Sequence, residues 1–119
     1  MLDKTGEKQL KIQGIRPSEP LWKRVPCRDE NGRALSDFRM LISGLRSRPA
    51  HEIQARVTKI QSVLARYQQT VVFADLNLRI NLLWVSVRAE ARLDMEIAAQ
   101  IHDLIPEAKL LAAGVRSAY

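Results

Sequence analysis

Arginines and aromatic residues recur at even spacing along three stretches in which apolar and polar residues alternate. Arg39 lies in the first, Phe73 and Arg79 in the second, and Trp84 and Arg88 in the third. An aromatic ring offers a face to a nucleobase or an apolar side chain, and a guanidinium offers a fork of donors to phosphate or carboxylate. In an extended strand every second side chain shares a face. The alternation therefore assigns Arg39 and Leu41, then Phe73, Asp75, Asn77 and Arg79, then Trp84, Ser86 and Arg88, to one side of a sheet. Arg39, Phe73, Arg79, Trp84 and Arg88 are the candidate binding residues.

Residues suited to making and breaking bonds are sparse. The chain contains no G-x-G-x-x-G, G-x-x-x-x-G-K-[ST], H-E-x-x-H, G-x-S-x-G or C-x-x-C pattern. Nucleophilic catalysis would need a base, and only His51 and His102 are available. His51 falls in the first turn of an expected helix, where the helix dipole opposes its protonation. His102 borders an apolar stripe and reads as a polar contact. Cys27 has Lys23, Arg24 and Arg28 nearby to favour a thiolate, but no partner base or second thiol, and it is read as incidental. Asp75 and Glu90 could serve as acid or base only at a site shared between copies. With one cysteine and two histidines there is no set for a structural zinc. The expectation is a protein without catalytic activity, cofactor or metal.

The elements that must position these residues are legible from periodicity. Phe38, Met40 and Ile42 alternate with Arg39, Leu41 and Ser43, which predicts a strand closed by Gly44. Pro49 suits a first helical position, and Ala50, Ile53, Val57, Ile60, Leu64 and Tyr67 form one stripe on a helix running to about Gln68. Residues 71–90 read as strand, too long for one, and the apolar phase changes at Leu83. This predicts two strands joined by a hairpin at Leu78 to Asn81, without Gly or Pro to mark it. A second helix begins at about Arg92 or Asp94, with Asp94 as N-cap, Ile97, Ile101, Leu104 and Ile105 as its apolar side, and Pro106 as its stop. Ala108 to Ala113 makes a last strand.

The order strand, helix, strand, strand, helix, strand predicts an α+β, ferredoxin-like domain over 35–119, an antiparallel sheet with two helices on one face. Residues 1–34 read as an extended N-terminal arm, partly extended or disordered. Pro17, Pro20 and Pro26 interrupt it, Leu21 and Trp22 serve to pin it, and Asn31-Gly32 allows a short hairpin between about Lys23 and Phe38.

The chain has 119 residues, 46% of them hydrophobic, enough for one core. The net charge of +6 is concentrated in residues 1–48, which hold eleven Lys/Arg against six Asp/Glu. Such a basic segment suits phosphate-rich partners but also promotes solubility. The single cysteine, the absence of an apolar leader and of any run long enough to span a bilayer lead to the expectation of a soluble, cytoplasmic protein with no membrane contact. With helices on one face only, the other sheet face is left for a homodimer or protein partner or for cover by the N-terminal arm, the preferred expectations, or for single-stranded RNA. RNA readers of this topology carry several aromatics on the central strands, whereas the strand Leu83 to Arg88 has one.

Overall fold

The computed structural model describes residues 11–13 and 32–115. In chain order the elements are β1 (Lys11–Gln13), β2 (Leu35–Ile42), α1 (Ala50–Arg66), β3 (Val71–Asn77), β4 (Leu82–Arg88), α2 (Asp94–Leu104) and β5 (Ala108–Val115). The sheet order is β1-β3-β4-β2-β5. β4 is antiparallel to both β2 and β3, β5 is antiparallel to β2, and β1 is parallel to β3. From β2 onward this is the ferredoxin-like arrangement, with the three-residue β1 added at the outer edge of β3.

The core lies between one sheet face and the two helices. Phe38, Met40 and Ile42 from β2, Leu76 from β3, and Leu83, Val85 and Val87 from β4 meet Val57, Ile60, Val63 and Leu64 of α1 and Ile97, Ala98 and Ile101 of α2. Val63 lies outside the stripe expected from the sequence. Leu104, expected on the apolar side of α2, is 38% exposed, and Ile105 takes the inward position just past the helix end. The helices also touch at their rims: the Tyr67 hydroxyl donates to Glu96 at 2.6 Å and accepts from Gln100, while Arg66 donates to Gln100 at 2.8 Å. The bond to Glu96 raises the Tyr67 pKa above its ordinary value, because the ionised phenol could no longer donate it.

Two helix starts differ from expectation. Pro49 is the N-cap of α1 and not its first residue; its ψ of 152° is extended, and its carbonyl accepts from the Glu52 and Ile53 N–H groups. Leu93 occupies the N-cap of α2, and Asp94, one residue further in, accepts a bond from the Ser36 hydroxyl at 3.1 Å. The Asp94 carboxylate therefore joins the helix start to β2 and does not cap its own backbone.

The β3–β4 hairpin turns at residues 78–81, as the phase change implied. Asn77 accepts from the Arg79 N–H at 2.9 Å, and Asn81 adopts the left-handed conformation at φ 57° that a glycine would otherwise supply. Leu78 and Ile80 consequently belong to the turn. A β-bulge between Val71 and Phe73 sends Val71 to the core and Phe73 to the opposite face, positions that strict alternation would have put on one side. β2 begins three residues earlier than its clearest alternation, at Leu35. The hairpin expected between Lys23 and Phe38, and the roles given to Leu21, Trp22 and Cys27, lie outside the described residues.

Leu76 and Ile60 are fully buried on facing layers. Truncating either to alanine is expected to cost about 3 kcal/mol in chemical denaturation, since the cavity adds to the lost transfer energy. Ile80→Ala, at a turn residue 53% exposed, is expected to cost less than about 0.5 kcal/mol.

Candidate functional site

The face opposite the helices is built in rows across the strands. In the middle row Asp75, Trp84, Arg39 and Ala112 stand side by side. The next row holds Phe73, Ser86 and Asp37, and the one on the other side holds Asn77, Leu82 and Leu41. The Arg39 guanidinium carbon lies 5.5 Å from the centroid of the Trp84 ring, a cation–π contact. The Ser86 hydroxyl donates to Asp37 at 2.7 Å.

This arrangement unites part of the expected set. Arg39 and Trp84 are direct cross-strand neighbours, and Phe73 lies one row away. Arg88 shares the face but sits at the far end of β4, opposite Leu35, with its Nε donating to the Gln69 carbonyl at 3.1 Å. Arg79 does not share it: β3 ends at Asn77, so Arg79 falls in the exposed hairpin turn, where its carbonyl lies 3.5 Å from the Arg46 guanidinium. The turn that makes the hairpin is what takes Arg79 off the sheet.

Exposure divides the face unevenly. Leu35, Asp75 and Ser86 are each 0% exposed although they point away from both helices. Trp84, Phe73 and Arg88 are half-buried, and Asp75, Trp84, Asp37 and Arg88 are all engaged with other groups. Toward β5 the surface opens: Arg39 and Lys109 are exposed, and at the β5 edge Leu111 is 57% exposed while Leu110, whose partner Met40 faces the helices, is 36% exposed. A bulge between Arg39 and Met40 pairs them with Ala112 and Leu110 and leaves Leu111 outside the ladder. The two leucines were absent from the sequence-based set; the run Leu110-Leu111-Ala112-Ala113-Gly114-Val115, with no charge and no proline, was the signal available in the sequence.

The residues weighed for catalysis are dispersed. His51 is 82% exposed, with its Nε2 3.9 Å from Glu52. His102 Nδ1 lies 2.7 Å from the Ala108 carbonyl; a carbonyl only accepts, so Nδ1 carries the proton. Glu90 pairs with Arg33 at 3.1 Å on the surface, away from buried Asp75. Among the described residues no group of three or more His, Cys, Asp or Glu side chains is placed to hold a metal, and no helix is long and apolar enough to cross a membrane.

The strongest charge cluster lies where the start of α1 meets the start of β5. Arg56 contacts Glu107 at 2.5 Å, Arg48 contacts it at 3.5 Å, and Arg48 also pairs with Glu52 at 3.0 Å. The Arg56 guanidinium holds the Glu107 carboxyl below its ordinary pKa despite its partial burial. In comparisons with known proteins the chain matches no family model, no curated protein and no solved structure.

Glu107 ties acid stability to this cluster. Its folded pKa is lowered, so the ionised form contributes fully above the unfolded carboxyl pKa, and the contribution is lost as pH falls through the lower folded value. Glu107→Gln is expected to be less stable than the parent at neutral pH, with the gap closing below about pH 4. Denaturant unfolding of both proteins across that range checks it; a gap independent of pH would contradict the assignment.

Proposed function

We propose that this chain is a small non-enzymatic interaction domain that associates with a second copy of itself through the β2–β5 side of its sheet. The observation that carries this reading is the apolar edge: Leu110 and Leu111 stand exposed on β5, which among the described residues pairs only with β2. An edge strand presents unpaired backbone donors and acceptors, and exposed leucines beside it favour burial against another chain. Lys109 is the only charged residue in β5. Two such edges meeting antiparallel can set each lysine against the other strand's Val115 end, so that the two lysines do not face each other.

Single-stranded nucleic acid is the competing partner. Against it, the Trp84 ring is half-buried and has the Arg39 guanidinium within contact distance, which leaves little aromatic face for a base to stack on. A reducing, cytoplasmic setting belongs to the same proposal, because a single cysteine has no intramolecular disulfide to form.

Sedimentation equilibrium of the full chain is expected to give a reversible dimer, weakened about tenfold or more by Leu111→Asp, with loss of apolar burial and an added like-charge contact. Thr58→Asp, at an exposed residue of α1, is expected to leave it unchanged. A monomer at all concentrations, together with salt-sensitive binding of a mixed-sequence RNA that requires Arg39, would overturn the proposal in favour of the nucleic-acid reading.

A further inference from the structure

Hydrogen bonds mark the two flanks of α2. Toward α1, Glu96 accepts from the Tyr67 hydroxyl and Gln100 donates to it. Toward β5, His102 Nδ1 donates to the Ala108 carbonyl at 2.7 Å. Met95 and Ala99 stand two turns and one turn before His102 on the helix, and so share its flank. Met95 is 56% exposed, and Ala99 is exposed. On the strand below, Leu110 pairs with Met40 and Ala113 with Phe38, so both lie on the helix side of the sheet, and both are exposed. The helix layer therefore ends at β5 in an apolar margin of Met95, Ala99, Leu110 and Ala113. The acidic residues of the first turn of α2 are turned off it, Asp94 to Ser36 and Glu96 to Tyr67, and Lys109 pairs with Leu41 on the opposite face.

Identical edge strands that pair antiparallel are related by a two-fold axis perpendicular to the sheet, which leaves the helices of both copies on the same side. α2 packs over β2 and β5, so it lies about half a strand spacing inboard of β5, and the two-fold lies about as far outboard. The two α2 helices then stand two strand spacings apart, about 10 Å, which is a helix-packing distance. α2 runs antiparallel to β5, because β5 and β4 are both antiparallel to β2 and α2 returns between them. Met95 lies about 10 Å before His102 along the helix, which brings it level with about Leu111. The edge pairing that sets Lys109 against the far end of the other strand centres close to that level, so Met95 of each copy lies beside the axis. The edge alone is small: eight residues of β5 make a strand about 26 Å long and about 10 Å deep, about 260 Å² in outline, where stable interfaces bury roughly 800 Å² per partner. Contact between the helix layers doubles that depth along α2.

We infer that the second copy docks on both layers of this margin, β5 against β5 and α2 against α2, with Met95 meeting Met95 across the two-fold and Ala99 and Leu110 beside it. The inference rests on the self-association proposed above and adds a helix pair that edge pairing does not by itself require. A second copy suits the margin because two such surfaces bring no like charges together at the axis, and the small side chain of Ala99 lets the helices approach.

Sedimentation equilibrium of the full chain is expected to show the dimer weakened about tenfold or more by Met95→Asp and retained by Met95→Leu. An aspartate in the first turn favours the helix dipole, so the Met95→Asp chain is expected to unfold at the parent's denaturant midpoint when both are dilute and monomeric. Cys27 is the only thiol in the chain. In a Cys27→Ser background, Met95→Cys is expected to form covalent dimers with a short bismaleimide, and Lys59→Cys, at an exposed residue of α1, is not. Association lost with Leu111→Asp but unchanged by Met95→Asp would overturn the helix contact and leave edge pairing in place. Weakening by Met95→Asp without cross-linking of the Met95→Cys chain would also overturn it, since the two flanks would not face each other. A dimer indifferent to both aspartates, or a parent chain monomeric at all concentrations, would overturn this inference together with association through β5.

Discussion

Side chains along a strand alternate between faces, and the β2–β4 ladder fixes which residues each face receives. A one-residue slip of β2 against its neighbours would exchange Phe38, Met40 and Ile42 for Asp37, Arg39 and Leu41, placing an aspartate and an arginine beneath the helices. The register holds because it is pinned on both sides and at both ends. β2 pairs with β4 from Leu35 to Leu41 and with β5 from Ser36 to Ile42. At one end the Ser36 hydroxyl bonds Asp94 at the start of α2; at the other the Ile42 N–H donates to the Asn81 carbonyl at 2.8 Å. The contact between Arg39 and Trp84 is a product of that register.

The ends of the molecule are held by polar contacts where the centre is held by packing. Asn81 serves three elements at once: its backbone takes the left-handed turn, its carbonyl receives Ile42, and its side-chain oxygen receives the Arg46 N–H at 2.8 Å. The turn after β2 and the turn between β3 and β4 are thereby one structure. Arg48, Glu52, Arg56 and Glu107 join the start of α1 to the start of β5 at the same end of β2. Partial burial strengthens these pairs relative to the exposed Arg33–Glu90 pair, which water screens.

Much of this architecture was legible in the sequence because burial imposes period. The α1 stripe and the inward residues of β2 and β4 followed from alternation, and the phase change at Leu83 revealed a hairpin that no glycine or proline announced. The asparagines that make that turn were visible but uninformative alone, since Asn77 and Asn81 acquire meaning only through the partners they bond. Both bulges were illegible: nothing in Val71-Val72-Phe73 or Leu110-Leu111-Ala112 says which residue the ladder skips, because that depends on the partner strand's length and twist. For the site, Arg39, Phe73 and Trp84 were placed correctly on one face. Arg79 was not, because an alternation continued past Asn77 overruns the turn, and the burial of Asp75 and Ser86 depends on contacts outside their own strands.

The tight β3–β4 connection also orders events in time. Of the strand pairs in this sheet, only β3–β4 joins neighbours in the chain through a four-residue turn, residues 78–81. Every other ladder must first close a loop containing a helix or a long connection. Hairpins form in about 1–10 μs, while pairings of high sequence separation wait on the entropy of loop closure. The hairpin is thus the earliest piece of sheet available, and its β4 side is the edge onto which β2 must dock. The side chains waiting there, Leu83, Val85 and Val87, are apolar, so collapse of α1 and β2 onto the hairpin assembles the core and the ladder in one step.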